Sequence, residues 1–198
     1  MERYLVYYIG LLVILLYSTH QVLGDAFPVW QRGYDYLRTN ANTRETILNT
    51  RNVNVNQFGK LFSRQVLGHV YAQPLYIPNL VMPQTGRTHN VLFVATMGNN
   101  LYAFDADDPN RPEPLWERNF GPTLPVDDGM IGAPSLHCTV YTDILIEVGI
   151  VSTPVIDMST NTMYLIAVNK DSQTPYISNH RLHAVDIFTG AERPNSPA

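Results

Sequence analysis

The sequence predicts an all-β chain built from repeated four-stranded antiparallel units, on three observations. Residues 70–105 and 150–186 hold the same three β-type runs in the same order. The first copy reads Val70-Tyr71-Ala72-Gln73-Pro74-Leu75-Tyr76, then Val91-Leu92-Phe93-Val94-Ala95-Thr96, then Leu101-Tyr102-Ala103-Phe104-Asp105. The second reads Ile150-Val151-Ser152-Thr153-Pro154-Val155-Ile156, then Met163-Tyr164-Leu165-Ile166-Ala167-Val168, then Leu182-His183-Ala184-Val185-Asp186. From Phe58 onward, runs of Val, Ile, Leu, Tyr and Phe are bounded by Pro, Gly, Asn and Asp, which is strand-and-turn chemistry. Past the N-terminal segment, no window sustains the i, i+3, i+4 apolar spacing of a helix.

In chain order, residues 1–24 read as a secretory signal peptide. A short, weakly charged start precedes an apolar run over 5–17, and Val22-Leu23-Gly24 places modest side chains before a cut at Asp25. That run is short of the roughly 20 residues a spanning helix needs; an uncleaved anchor is the competing reading. Residues 25–57 form a polar, extended lead-in with a helical turn near 44–48, and 58–198 form the β region. Within it, 60–66 is expected as a lone early strand of the outermost kind. The first unit then has strands at 70–77, 90–97, 101–106 and 115–120, and the second at 151–157, 162–170 and 181–187. Gly98-Asn99-Asn100 accepts the positive φ of a tight hairpin, so the strands it joins are antiparallel neighbours. Met158-Ser159-Thr160-Asn161 is turn chemistry of the same type. Matched at Pro74 with Pro154, Ala95 with Ala167 and Asp105 with Asp186, the units differ in length only between strands, where insertions are tolerated.

A unit that cannot bury its own apolar face must stack on a neighbour. Four-stranded antiparallel units in series are the blades of a β-propeller, here one near 69–121 and one near 150–198. The ring is incomplete, because the chain stops where the fourth strand of the second blade should begin. The expectation is therefore a piece of a longer propeller, with 60–66 completing its last blade; a short protein that oligomerises is the rival. Asp105 and Asp186 end their third strands, where a carboxylate can accept N–H bonds of the following turn. Ala103 and Ala184 are small where a neighbouring blade packs close, and Trp116 fills a space between blades.

Leu101-Tyr102-Ala103-Phe104-Asp105-Ala106 with Leu115-Trp116, and Leu182-His183-Ala184-Val185-Asp186 with Thr189-Gly190, resemble the repeat of quinoprotein-type, pyrroloquinoline-quinone (PQQ)-like propellers. The resemblance runs from about Tyr34 to the end and implies the propeller fold. The catalytic members of that group imply a vicinal cysteine pair over the quinone, Ca²⁺ on carboxylate and amide oxygens, and an aspartate base. This chain has one cysteine, Cys138, so that pair is absent.

With 13 basic against 17 acidic residues, a net charge of −4 and no Lys/Arg cluster, the chain lacks the patch a nucleic acid requires. After signal cleavage no membrane segment is expected. The long connections at 121–149 and 169–180 share one rim, where a protein or small-molecule partner would bind. Asp127, Asp128, Asp143 and Glu147 are the acids crowded there; Ca²⁺ takes 6–8 oxygens, and no ligand-loop spacing ties these four together. His180 and His183, three apart on a strand, face opposite sides of it, and adjacent His137-Cys138 is a poor nucleophile or metal pair. The sequence thus predicts a secreted (periplasmic, in a bacterium) non-catalytic scaffold or binding module without cofactor. The alternative is the N-terminal part of a PQQ- and calcium-dependent oxidoreductase whose cofactor ligands lie in other blades.

Overall fold

The computed structural model describes residues 27–126, 144, 146–171 and 178–198. These residues are all-β, with no helix among them. A four-stranded antiparallel sheet holds β1 (Leu75–Met82), β2 (Arg87–Ala95), β3 (Asn100–Asp105) and β4 (Trp116–Asn119), in that spatial order. β5 (Leu124–Pro125) and β6 (Glu147–Val148) form a short ladder. A third sheet holds β7 (Val155–Asp157), β8 (Thr162–Lys170) and β9 (Ser178–Asp186), again in sequence order. None of the three sheets closes on itself.

The first and third sheets share one core. Leu75, Ile77, Phe93, Ala95, Leu101 and Ala103 of the first face a cluster that includes Ile156, Met163, Leu165, Ala167 and Val185 of the third. Burial of this apolar seam, at about 25 cal/mol per Å² removed from water, favours the docked arrangement of the two units. Trp116 locks it: its indole N–H donates to the Ile187 carbonyl at 3.0 Å. Gly190 lies against the ring at a φ of +69°, and a Cβ there would sit 2.7 Å from Trp116 Cε3. Both the conformation and the close approach require glycine.

Register corrects the alignment of the repeats. Asp105 pairs with Val91 and Asp186 with Thr162. Phe93 then corresponds to Tyr164, and Ala95 to Ile166 rather than Ala167. A slip of one residue exchanges the faces of a strand. β8 carries apolar side chains at both parities, so its pattern could not set the register. In the true register, each position points the same way around the stack. The Phe93–Ala103 face of the first sheet abuts the third, and the corresponding Tyr164–Ala184 face of the third points outward. Ala103 is fully buried as expected, whereas Ala184 is only half-buried on that outward face.

Three expected elements also change. Residues 60–66 form no strand; the segment is a strap over the outer face of the first sheet. Val66 packs on Val94, Tyr102 and Phe104, Leu67 N–H donates to the Tyr102 hydroxyl, and Arg64 reaches the Asp108 carbonyl. No helical turn forms at 44–48. The C-terminal tail supplies an edge to β9, through a bridge between Val185 and Glu192 and mutual backbone hydrogen bonds of Leu182 and Ala198. The first strand also starts later, at Leu75, and runs on to Met82 through a bulge between Ile77 and Leu80.

Candidate functional site

The polar lead-in meets the first strands of the two larger sheets, β1 and β7. Val29 exchanges two hydrogen bonds with Tyr76 of β1, and the next residue, Trp30, accepts Ile156 N–H of β7 at 2.8 Å. Edge strands expose unpaired N–H and C=O groups, and two consecutive residues here pair with one residue of each edge strand, Tyr76 and Ile156. The chain then turns back on itself. Asn40 N–H donates to the Gly33 carbonyl, and Tyr34, Arg38 and Asn40 all take positive φ, of 73, 53 and 56°. Positive φ costs a non-glycine residue roughly 1–2 kcal/mol. Gly33, at a φ of +76°, is pressed so near Arg38 Cα that a Cβ would lie 2.8 Å from it.

This loop meets the segments that lead into β1 and β7 and encloses a cavity of about 560 Å³. One wall is Tyr71 and Gln73, the other Val151, Ser152 and Thr153, the matching stretches of the two repeats. They are stitched together: Gln73 N–H donates to Thr153 Oγ1 at 3.0 Å, and Gln73 Oε1 accepts Gly33 N–H at 3.1 Å. The lead-in contributes Gln31, Arg32, Arg38 and Asn40. Among the described residues, no carboxylate, imidazole, thiol or amine lines the cavity. Asp35, the nearby acid of the loop, is turned to Thr39: its oxygens accept Thr39 N–H at 3.1 Å and the Thr39 hydroxyl at 2.6 Å. Those Thr39 bonds hold its carboxyl below the usual carboxylate value. Neither Arg32 nor Arg38 forms an ion pair or side-chain hydrogen bond with another described residue. Gln31 Nε2 is buried without an acceptor.

Of the acids expected at the rim, Asp127, Asp128 and Asp143 lie outside the described residues, as do His137 and Cys138. Glu147 sits on β6, where its carboxylate accepts the Thr123 hydroxyl at 2.6 Å. Among the described residues, no group of three or more His, Cys, Asp or Glu side chains could hold a metal ion. No helix among them is long and apolar enough to cross a membrane. His180 and His183 pair with Val168 and Leu165, so they do face opposite sides of the third sheet. His183 is 4% exposed and gives Nδ1 to Glu192 at 2.7 Å.

One hydroxyl–imidazole–carboxylate chain was not anticipated. His89 Nδ1 lies 2.6 Å from Asp105 Oδ2, and His89 Nε2 lies 3.0 Å from Thr85 Oγ1. The order resembles that of a nucleophilic triad, but Thr85 is occupied by its own turn. Its Oγ1 accepts Arg87 N–H and lies 3.3 Å from the Met82 carbonyl. Asp105 Oδ1 in turn accepts the N–H groups of Asp107 and Asp108. The set fastens the β1–β2 hairpin to the end of β3.

The cavity was invisible in sequence because its charge comes from a lead-in with no periodic pattern. The usable signal was the pair Arg32 and Arg38 flanking a glycine, close to the first repeat only after the loop closes. No family model matches this chain, and no curated protein is similar to it in sequence.

Proposed function

We propose that this chain is a secreted, non-catalytic binding module built of PQQ-like propeller blades, and that it takes a small molecule at the cavity between the two repeats. The observation that carries the reading is the cavity wall itself. Equivalent segments of both repeats and the lead-in converge on about 560 Å³, a size suited to a compact ligand. The lining supports binding over chemistry, since a general base or nucleophile pair is what catalysis would require there. The propeller part of the reading is supported by the meander order, the face-to-face core, and the Trp116 ring lodged on Gly190.

The test is a thermal-shift panel on the full chain, spanning anionic, neutral and cationic small molecules, with PQQ plus Ca²⁺ as one member and dye-linked alcohol oxidation assayed alongside. A ligand at a hundred times its Kd adds about 2.7 kcal/mol to folding stability, a readily measured rise in Tm. Saturable stabilisation by one class without turnover is the expected result. Turnover with PQQ and Ca²⁺ sinks the non-catalytic reading, and a panel with no effect sinks the binding module.

A further inference from the structure

We infer that the ligand of this cavity is a small organic acid: its carboxylate groups meet Arg32 and Arg38, and its apolar body lies on Tyr71, Val151 and Val155. The inference rests on the binding-module reading and specifies its ligand class.

Charge is the first argument. Arg32 and Arg38, both exposed, line one cavity, no acid among the described residues lines it, and Asp35 of the same loop is committed to Thr39. An anion seated between two arginines is attracted by both. Arginine is the side chain whose rigid donor fork matches the two oxygens of a carboxylate. The remaining polar lining fits the same ligand. Gln31 Nε2 is a buried donor lacking an acceptor, and an unmet buried donor costs roughly 1–3 kcal/mol. Asn40 and Ser152 add neutral hydrogen-bonding groups around it.

Shape and apolar surface decide against a bare inorganic ion. Tyr71, Val151 and Val155 are 46, 40 and 46% exposed and line the same cavity. Phosphate would use the arginines and leave Val151 and Val155 without apolar cover. An acid with a flat or branched hydrocarbon body uses both halves of the wall.

The backbone around Arg38 supports a built site. Arg38 is held at a φ of 53° against Gly33. Strained conformations persist where the surrounding structure enforces them, and they collect at binding sites. The strain here brings Arg38 onto the same cavity as Arg32, six positions earlier.

Isothermal titration of the full chain with isophthalate, its neutral diamide and inorganic phosphate provides the test. Isophthalate is expected to bind, phosphate more weakly, and the diamide not measurably. Arg32→Gln and Arg38→Gln should each weaken isophthalate about tenfold or more. Arg51→Gln, on the same lead-in but away from the cavity, should leave its affinity unchanged. Near-ultraviolet circular dichroism from Trp30 and Trp116 checks that each variant keeps the seam between the sheets. Equal binding of acid and diamide overturns the inference, as does unchanged affinity in folded Arg32→Gln and Arg38→Gln. Phosphate binding as tightly as isophthalate removes the role of the apolar wall and overturns the organic-acid assignment. If the acids do not bind while a neutral or cationic member of the wider panel does, the organic acid is wrong and the binding module stands. If nothing binds, both fall.

Discussion

Phe93 and Tyr164 occupy the same register position in the first and third sheets, opposite Ala103 and Ala184 respectively. Phe93 is 2% exposed and Tyr164 40%. The neighbours follow suit: Leu75 and Leu101 are buried, while their counterparts Val155 and Leu182 are 46 and 47% exposed. Burial is therefore no property of the repeat; a following unit confers it. The other side of each sheet tells the same story. Val94, Tyr102 and Phe104, on the outer face of the first sheet, are buried by the 60–66 strap with Val66. Of their counterparts on β8 and β9, Leu165 and Val185 are buried in the core shared with the first sheet, and His183 is buried against the Phe120 ring. The first sheet thus takes its cover from the strap, while the lead-in supplies a partner to the edges of β1 and β7 and one wall of the cavity.

The sharpest way to break this comparison is to truncate both register partners. Phe93→Ala should cost about 3–5 kcal/mol of unfolding free energy, the usual loss for a large aromatic in a packed core. Tyr164→Ala should stay near the surface range of about 0.5 kcal/mol. Urea denaturation of the two variants decides it. Comparable losses would mean that the outward face of the third sheet is buried in solution.

A second, smaller contrast concerns glycine. Gly190 and Gly86 have similar φ values, +69 and +63°, yet a Cβ at Gly86 meets nothing within 4 Å whereas one at Gly190 runs into Trp116. Alanine at either position pays for positive φ, roughly 1–2 kcal/mol. At Gly190 the indole must also move and weaken its bond to the Ile187 carbonyl. Gly190→Ala should therefore lower Tm further than Gly86→Ala and alone perturb tryptophan fluorescence. Equal effects in both measurements would show that the ring is not seated on this turn.

What the sequence made legible was local. The 98–100 hairpin forms with Asn99 at a φ of 56°, and both strand-ending aspartates accept the turn N–H groups expected of them. Trp116 fills the space between units, seated on Gly190 of the second repeat's Thr189-Gly190 turn. Register was not legible, because Met163, Leu165 and Ala167 alternate with Tyr164 and Ile166 and both sets are apolar. The strap was misread as a strand because Leu61, Phe62 and Val66 have strand-like composition; ladder pairing is a non-local property that composition does not report. The cavity was least legible. It depends on four departures into positive φ within one loop, at Gly33, Tyr34, Arg38 and Asn40.

The smallest expected effect separates the two strand-ending aspartates. Asp105 Oδ1 accepts two turn N–H groups at 2.8 and 3.0 Å, and Asp186 Oδ1 accepts two at 2.9 and 3.0 Å. The second oxygens differ: Asp105 meets His89 at 2.6 Å, Asp186 meets Arg193 at 3.0 Å. For Asp105, burial pushes the carboxyl up, but the Asp107 N–H, His89 and the Asp108 N–H together outweigh it and hold it below its usual value. A depressed folded value means that the fold favours the ionised form. That contribution is fully present above the unfolded carboxyl's pKa of about 3.9 and is lost as pH falls through the folded value. Asp105→Asn keeps a side-chain oxygen for the turn and removes the titration. The Tm difference between the parent and Asp105→Asn should therefore be steady near neutrality and shrink as pH is lowered from about 5 to about 3. If the difference stays constant across that range, the His89 contact is merely steric and the ionised carboxylate gains nothing from folding. If it shrinks as expected, the hairpin clamp of the first sheet is electrostatic in origin.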